Sequence, residues 1–362
     1  MTVHTPMPML VSGDEVDADW LTASLASAEA LPSGRVTSVR AERIGTGQAA
    51  DSYRLTPEYA GGAGPQTLVA KVTSTDARSA RTGSYGLYEG EVRFYQELAP
   101  TLPVRTPQSY ASEFDPGTGR FVLLLEDLAP AVSVDQIDGM TVDQASLALE
   151  QAAGLHSASW HDPVLAARPW LSRVRHAMLT VADALPGLGA KLSDRFADVL
   201  DPDDLTTALQ LLDLINPLKS VLDTRTALWH QDFRADNLLF SARDGAVPVA
   251  VLDWQTVTFG PALADVALLL GGSLPIEERR AHELDLVRGY HAALVAGGVT
   301  SYSFDECWLD YRTSAVAGVF NGINGPVQVR RTPRGDLLWA SWLHRHCAHA
   351  TDLGTLDLLR AR

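Results

Sequence analysis

The stretch LWHQDFRADNLLF, residues 228–240, places a histidine, two aspartates, an arginine and an asparagine between a Leu-Trp pair and an apolar run. Either it is a surface turn in which Asp and Asn bond their own backbone, or it is a site that needs those groups in fixed order. His230, Asp232 and Asn237 form H-x-D-x-x-x-x-N directly before the strand-like NLLF, and sixteen residues after Asn237 comes Asp253, at the end of VAVLDW. A tight loop followed by a β-hairpin would gather Asp232, Asn237 and Asp253 into one small volume. Phosphoryl transfer from a nucleotide requires that grouping. One carboxylate takes the proton of the attacking hydroxyl. The other carboxylate and the amide oxygen suit Mg²⁺, because hard cations take oxygen ligands. A hydrolase metal on His230 and Asp232 is the weaker alternative, since no second His/Asp pair lies at matching spacing.

Composition sets the frame for this reading. With 362 residues and 46% hydrophobic content, the chain can bury one large or two medium cores. A net charge of -15 argues against nucleic-acid and anionic-membrane partners, both of which attract basic surfaces. Cys307 and Cys347 are too few for a disulfide framework and read as reduced, buried thiols. MTVHTPMPML has neither the basic start nor the apolar run of a signal peptide, and no apolar stretch reaches membrane-spanning length, so a cytoplasmic protein is expected.

Local patterns divide the chain in two. Residues 14–29 read as a short helix with Asp17 or Asp19 as N-cap. Strand-like VTSVRAERI, SYRL and TLVAKVTS follow, separated by GTGQAAD and the glycine-rich EYAGGAGPQ. A helix is expected around YEGEVRFYQELAP, then a hairpin turn and the apolar strand of GTGRFVLLLEDLAP. Beyond about residue 130, helical periodicity dominates, beginning with a Thr141/Gln144 capping box and continuing through residues 180–222 and 261–362, interrupted by a turn and strand in SARDGAVPVAVLDW. The expectation is an N-terminal β-rich lobe over residues 1–128 and a larger, mainly helical C-terminal lobe over residues 129–362.

The first of these segments supplies the partner groups. Lysines number only three, Lys71, Lys191 and Lys219, against 26 arginines, and Lys71 sits in the apolar strand LVAKV. A compact ammonium reaching between phosphates explains a lysine there; a lysine snorkelling from a half-buried strand is the alternative. Gly45 and Gly47 in IGTGQAADSYRL let backbone amides approach phosphates, although a lone G-x-G more often marks a hairpin turn. Glu91 is placed to pair with Lys71 on a helix whose buried side is marked by Phe94, Tyr95 and Leu98. Glu89 is its competitor, almost opposite on the same helix.

Taken in order, GTGQ, VAKV, GEVRFYQEL, LLLEDL, WHQDFRADNLLF and VLDWQ resemble the aminoglycoside phosphotransferase and choline kinase-like superfamily, over roughly residues 40–290. The nearest branch in character is that of the ecdysteroid kinase-like enzymes. The resemblance implies an α+β, protein-kinase-like two-lobed fold, ATP bound at the LLLEDL hinge with Mg²⁺, and transfer of the γ-phosphate to a hydroxyl of a small molecule. It implies Asp232 as catalytic base, Asn237 and Asp253 as metal ligands, Lys71 and Glu91 as the phosphate-binding ion pair, and Glu126, Asp127 and Leu128 as the hinge whose backbone meets adenine. The family commonly has glycine where Gln231 stands, and the glycine-rich loop lacks a third glycine. A protein kinase is excluded as the subtype: the loop is not H-R-D, and Trp-Gln follows Asp253 in place of Phe-Gly.

The acceptor is expected to be a neutral or weakly charged alcohol, because the chain has no basic tract and no strongly acidic substrate lobe. Candidate contacts in ECWLDYRTSAVAGVFNG are Trp308, Asp310, Tyr311, Phe320 and Asn321, most of which read as core. An idle nucleotide-binding regulatory protein and an antibiotic-inactivating phosphotransferase are the rival readings. His344, His346 and His349 in LHRHCAHA invite a metal reading, but His344 is off the face shared by the other two and no carboxylate adjoins them. His156 reads as a core histidine.

Overall fold

A computed structural model describes residue 10 and residues 15–45, 50–74, 86–196, 200–214, 225–328 and 331–361. The chain forms two compact units, residues 1–101, 106–129 and 254–256 in the first, and residues 102–105, 130–253 and 257–362 in the second. Among the described residues no helix is long and apolar enough to cross a membrane.

In the first unit, α1 (Ala18–Ser27) precedes β1 (Arg35–Ile44), β2 (Ala50–Ala60) and β3 (Leu68–Thr73); α2 (Tyr88–Glu97), β4 (Ser109–Asp115) and β5 (Arg120–Glu126) follow. Asp17, one of the two expected caps, accepts from Trp20 N at 2.7 Å and starts α1. The strands make one antiparallel sheet in the order β1-β2-β3-β5-β4. Alternation divides its faces. Leu55, Leu68, Ala70, Val72, Val122 and Leu124 are buried with Trp20, Leu21 and Leu25 of α1. Lys71 faces the other way, opposite Ser52 on β2 and Leu123 on β5. Tyr88 of α2 stacks on Phe121 of this second face, with ring centroids 4.4 Å apart. Phe94 of α2 lies flat on Trp254, at 3.9 Å and 7°.

The second unit contains β6 (Val132–Ser133), α3 (Val142–Ser157), α4 (Pro163–Ala166), α5 (Pro169–Ala184), α6 (Gly189–Phe196), α7 (Pro202–Leu212), β7 (Thr226–Trp229), β8 (Leu238–Ala242), β9 (Val247–Val251) and β10 (Thr258–Pro261). The helices α8 (Ala262–Ser273), α9 (Ile276–Ala296), α10 (Phe304–Ser314), α11 (Val316–Gln328), α12 (Pro333–Asp352) and α13 (Thr355–Arg360) complete it. Both halves of the Thr141/Gln144 capping box form at the start of α3. Every residue of α8 is buried, so this helix is the axis of the unit. A second core joins α6, α7, α11 and α12 through Phe196, Leu211, Val319, Ile323 and Leu343. The helices α11 and α12 pack closely at Gly318, where a Cβ would meet the His346 ring at 1.9 Å. Two small antiparallel sheets, β6-β8-β9 and β7-β10, frame the loop between β7 and β8. Cys307 and Cys347 are buried free thiols, and burial pushes the Cys307 thiol up to about 12.

Candidate active site

In the first unit, Lys71 Nζ lies 2.8 Å from Glu91 Oε1, and the Glu91 side chain is 2% exposed. A carboxylate so deeply buried needs its cation, because removing one partner leaves a desolvated charge. Glu89 instead approaches Arg93, at 3.7 Å. Sheet pairing in β5 ends at the Leu68–Glu126 rung, so the peptide groups of Asp127 and Leu128 follow the last rung of the ladder. The side chains here are turned to structural work. Glu126 Oε2 accepts from Gln108 N at 3.1 Å, and Asp127 takes Arg54 Nε at 2.6 Å and Nη2 at 3.3 Å. Burial opposes ionisation of Asp127, but its bonds to Arg54 and the Ala129 amide hold the carboxyl below its ordinary value. Gly45 has φ +72°, a conformation that favours glycine. Gly47 lies outside the described residues.

In the second unit, the loop after β7 is fixed from several directions. His230 Nε2 donates to the Leu252 carbonyl at 2.9 Å, and its Nδ1 accepts from Asp232 N at 3.3 Å. With those two bonds Nε2 carries a ring hydrogen and Nδ1 is the acceptor. Leu252 N donates to the Asn237 carbonyl at 2.9 Å, which ties the start of β8 to the residue before Asp253. Asn237 Nδ2 donates both to Asp232 O and to Asp232 Oδ2, each at 2.7 Å. Both amide hydrogens are thereby spent on Asp232, and Oδ1 is the acceptor left to face elsewhere. Asp253 has φ +62° and Gln231 φ +70°, two non-glycine residues in the left-handed region, where functional loops store strain.

Three contacts behind and beside this loop went unread in the sequence. Asp265, fully buried in α8, accepts from His230 N at 2.8 Å and Gln231 N at 3.0 Å. Behind it stands His156, with Nε2 at 3.3 Å from Asp265 and Nδ1 at 2.7 Å from the Tyr290 hydroxyl. His156 is in the core, as read, but it braces the loop through Asp265. The signal for Asp265 was present: it is an acid inside the apolar run ALADVALLL, a position that demands partners. The third is Arg234, whose Nε donates to Asp232 Oδ1 at 2.9 Å, which also bonds Asp236, and whose guanidinium sits 5.8 Å from the Trp342 ring centre.

The other candidates are distributed as follows. Asn321 approaches the loop, with Nδ2 at 3.5 Å from the Gln231 carbonyl. Tyr311 is buried against His349 and Glu283, Asp310 accepts from Tyr302, and Phe320 packs in the second core. His344 pairs with Asp204 at 2.7 Å, away from the buried His346 and His349. Among the described residues no three His, Cys, Asp or Glu side chains converge as a metal site. The Asn237 amide oxygen and the Asp253 carboxylate fit Mg²⁺ in donor chemistry, as a pair whose shell nucleotide oxygens and water would complete.

Residues 40–301 match the model of the phosphotransferase enzyme family, and the chain belongs to that family. Membership places it among phosphotransferases. The fold is similar to that of a candidate aminoglycoside phosphotransferase from Ralstonia eutropha JMP134, with TM-score 0.52 and 16% identity, covering 95% of this chain and 99% of that one. It is also similar to a microcompartment-associated aminopropanol kinase, with TM-score 0.51 and 16% identity, covering 90% and 95%. Of curated sequences, acyl-CoA dehydrogenase family member 10 from Mus musculus is 49% identical over 51 residues, 14% of this chain and 5% of that protein. The matched model is that of the family as a whole.

Proposed function

We propose that the protein transfers the γ-phosphate of ATP, with Mg²⁺, to a hydroxyl of a small molecule. The observation that carries this reading is the Lys71–Glu91 pair at 2.8 Å, a scarce lysine aimed from an apolar strand and steadied by a buried carboxylate. Such a pair presents a fixed point charge to phosphate oxygens. In this reading residues 1–128 serve the nucleotide and residues 129–362 the acceptor. Gly45 and Gly47 bring backbone amides to the phosphates, and the peptide groups of Glu126, Asp127 and Leu128 meet the adenine edge.

Asp232 takes the proton as the acceptor oxygen bonds the γ-phosphorus and the bond to the ADP oxygen breaks. Asn237 holds the carboxylate at Oδ2, while Asp265 holds the loop by its amides. Asn237 and Asp253 are the ligands for Mg²⁺, which supplies charge neutralisation on the phosphates when bound. Because Asn237 touches Asp232 and is itself a ligand, base and metal position are set by one side chain.

The test is transfer of labelled γ-phosphate from ATP to a library of hydroxyl compounds, with Mg²⁺ or with EDTA. Mg²⁺-dependent transfer to a small alcohol is expected. Nucleotide binding with no transfer and no ATP hydrolysis would instead identify an idle regulatory relative.

A further inference from the structure

Gln231 stands between His230 and Asp232 at φ +70°, a backbone conformation that glycine adopts freely and that a side chain resists. Its half-buried side chain ends in Nε2, which is buried and has no hydrogen-bond partner among the described residues. An amide donor removed from water without a partner is a second cost. A glycine would carry neither cost, yet the chain places a glutamine one residue from the catalytic base. An oxygen of a bound ligand would supply the partner that Nε2 lacks among the described residues.

The surroundings define that ligand's charge. Asn321 of α11 brings a second neutral amide to the same loop, 3.5 Å from the Gln231 carbonyl. Arg234 sits between Asp232 and Asp236 and bonds both, so the two carboxylates of the loop are already countered. A polycationic acceptor requires the reverse, uncommitted acids facing it.

We infer that Gln231 is a specificity-determining residue that donates from Nε2 to an oxygen of the acceptor, and that the acceptor is an uncharged, oxygen-rich hydroxyl compound. A hydroxyl or carbonyl oxygen close to the phosphorylated hydroxyl satisfies the amide, and Asp232 remains unhindered to take its proton. This rests on the phosphotransferase reading of Asp232, which the experiment tests separately.

The test compares wild type with Gln231→Gly, a variant whose backbone adopts φ +70° freely. Both are given ATP, Mg²⁺ and, in turn, glycerol, glucose, myo-inositol, ethyl 3-hydroxybutyrate, choline and kanamycin. Wild type is expected to phosphorylate at least one of the four neutral compounds and to neglect the two cations. Gln231→Gly is expected to raise KM for that neutral compound about ten-fold, the effect of one lost hydrogen bond to a buried group, with a much smaller change in kcat and none in KM for ATP. An unchanged acceptor KM overturns the inference. So does failure on all four neutral compounds; transfer to choline or kanamycin in that case leaves the proposed reaction standing. Loss of ATP binding by wild type together with absence of all transfer removes the reaction itself.

Discussion

Arg234 donates its Nε–H to Oδ1 of Asp232 at 2.9 Å, while Asn237 donates to Oδ2 at 2.7 Å, so the proposed base is gripped at both oxygens. The grip fixes the carboxylate plane before any acceptor arrives, and each oxygen keeps a second lone pair for the incoming proton. Arg234→Gln should lower kcat about 10–100-fold through lost positioning and charge. Arg234→Lys should recover only part, because an ammonium cannot hold both carboxylates with a planar fork. Steady-state kinetics in saturating ATP decides it; equal kcat in wild type and Arg234→Gln would remove the positioning role.

In the proposed reaction Lys71 has two separable duties. Lys71→Met should cut kcat/KM for ATP about 10²–10³-fold, the effect of deleting one preorganised charge at a phosphate. It should also lower the melting temperature, since Glu91 is left buried without its cation. The double variant Lys71→Met/Glu91→Gln should regain melting temperature and remain as inactive as the single one. Recovery of both together would make the pair purely structural.

Asp232 and Asp253 should fail differently. Asp232→Asn keeps the shape and loses the base, so turnover should fall about 10²–10⁴-fold with Mg·ATP affinity nearly intact. Asp253→Asn should lose turnover and Mg²⁺-dependent nucleotide affinity together, because a formal charge beside a divalent cation is gone. Asparagine tolerates the φ +62° of position 253, so this variant folds. Nucleotide titrations with and without Mg²⁺ discriminate; matching affinity losses in both variants would reverse the assignment.

Asp265 acts on the loop from behind. Asp265→Leu leaves two buried backbone N–H groups, at His230 and Gln231, and His156 without their acceptor. Such changes cost about 1–3 kcal/mol for each unmet group. Stability should fall and kcat with it, whereas Asp265→Asn, still an acceptor, should retain more of both. Thermal melts and kcat measured on the same preparations check it.

Acid should loosen the second unit. Burial holds the imidazoles of His346 and His349 neutral, with pKa values below the usual 6.5. Below pH 6.5 the unfolded chain binds protons that the folded chain refuses, so stability is intact above that pH and declines as pH falls beneath it. The slope approaches about 1.4 kcal/mol per pH unit for each histidine until its folded pKa is reached. His346→Leu should be less stable at pH 7, because the ring is fitted against Gly271, Gly272 and Gly318. Its melting temperature should nevertheless depend less on pH between 7 and 5.5; an unaltered slope would assign the effect to other groups.

Much of this was legible because the decisive signals are local. The scarcity of lysine singled out Lys71, caps announced α1 and α3, and the spacing from His230 to Asp253 marked the loop of the proposed site. Glu91 could be preferred to Glu89 because helical phase marks a buried side. Asp265 and Arg234 were missed for different reasons. The first acts at a distance of more than thirty residues in sequence, which no local pattern records. Arg234 is one charge in a polar loop, and spacing does not show which carboxylates it bonds. At Gln231 the resemblance marked a departure from glycine, and the structure adds the positive φ that goes with it.

The three residues Trp254–Thr256 belong to the first unit although Asp253 and Val257 belong to the second, and Trp254 lies face to face with Phe94 at 3.9 Å. Neither unit is therefore a contiguous length of polypeptide. Genetic exchange cannot move the sheet unit as a cassette: a recombinant cut at residue 129 would carry Phe94 away from its stacking ring. Recombination between relatives is then constrained to swap α2 and the VLDW segment together, and the two should drift as one inherited block.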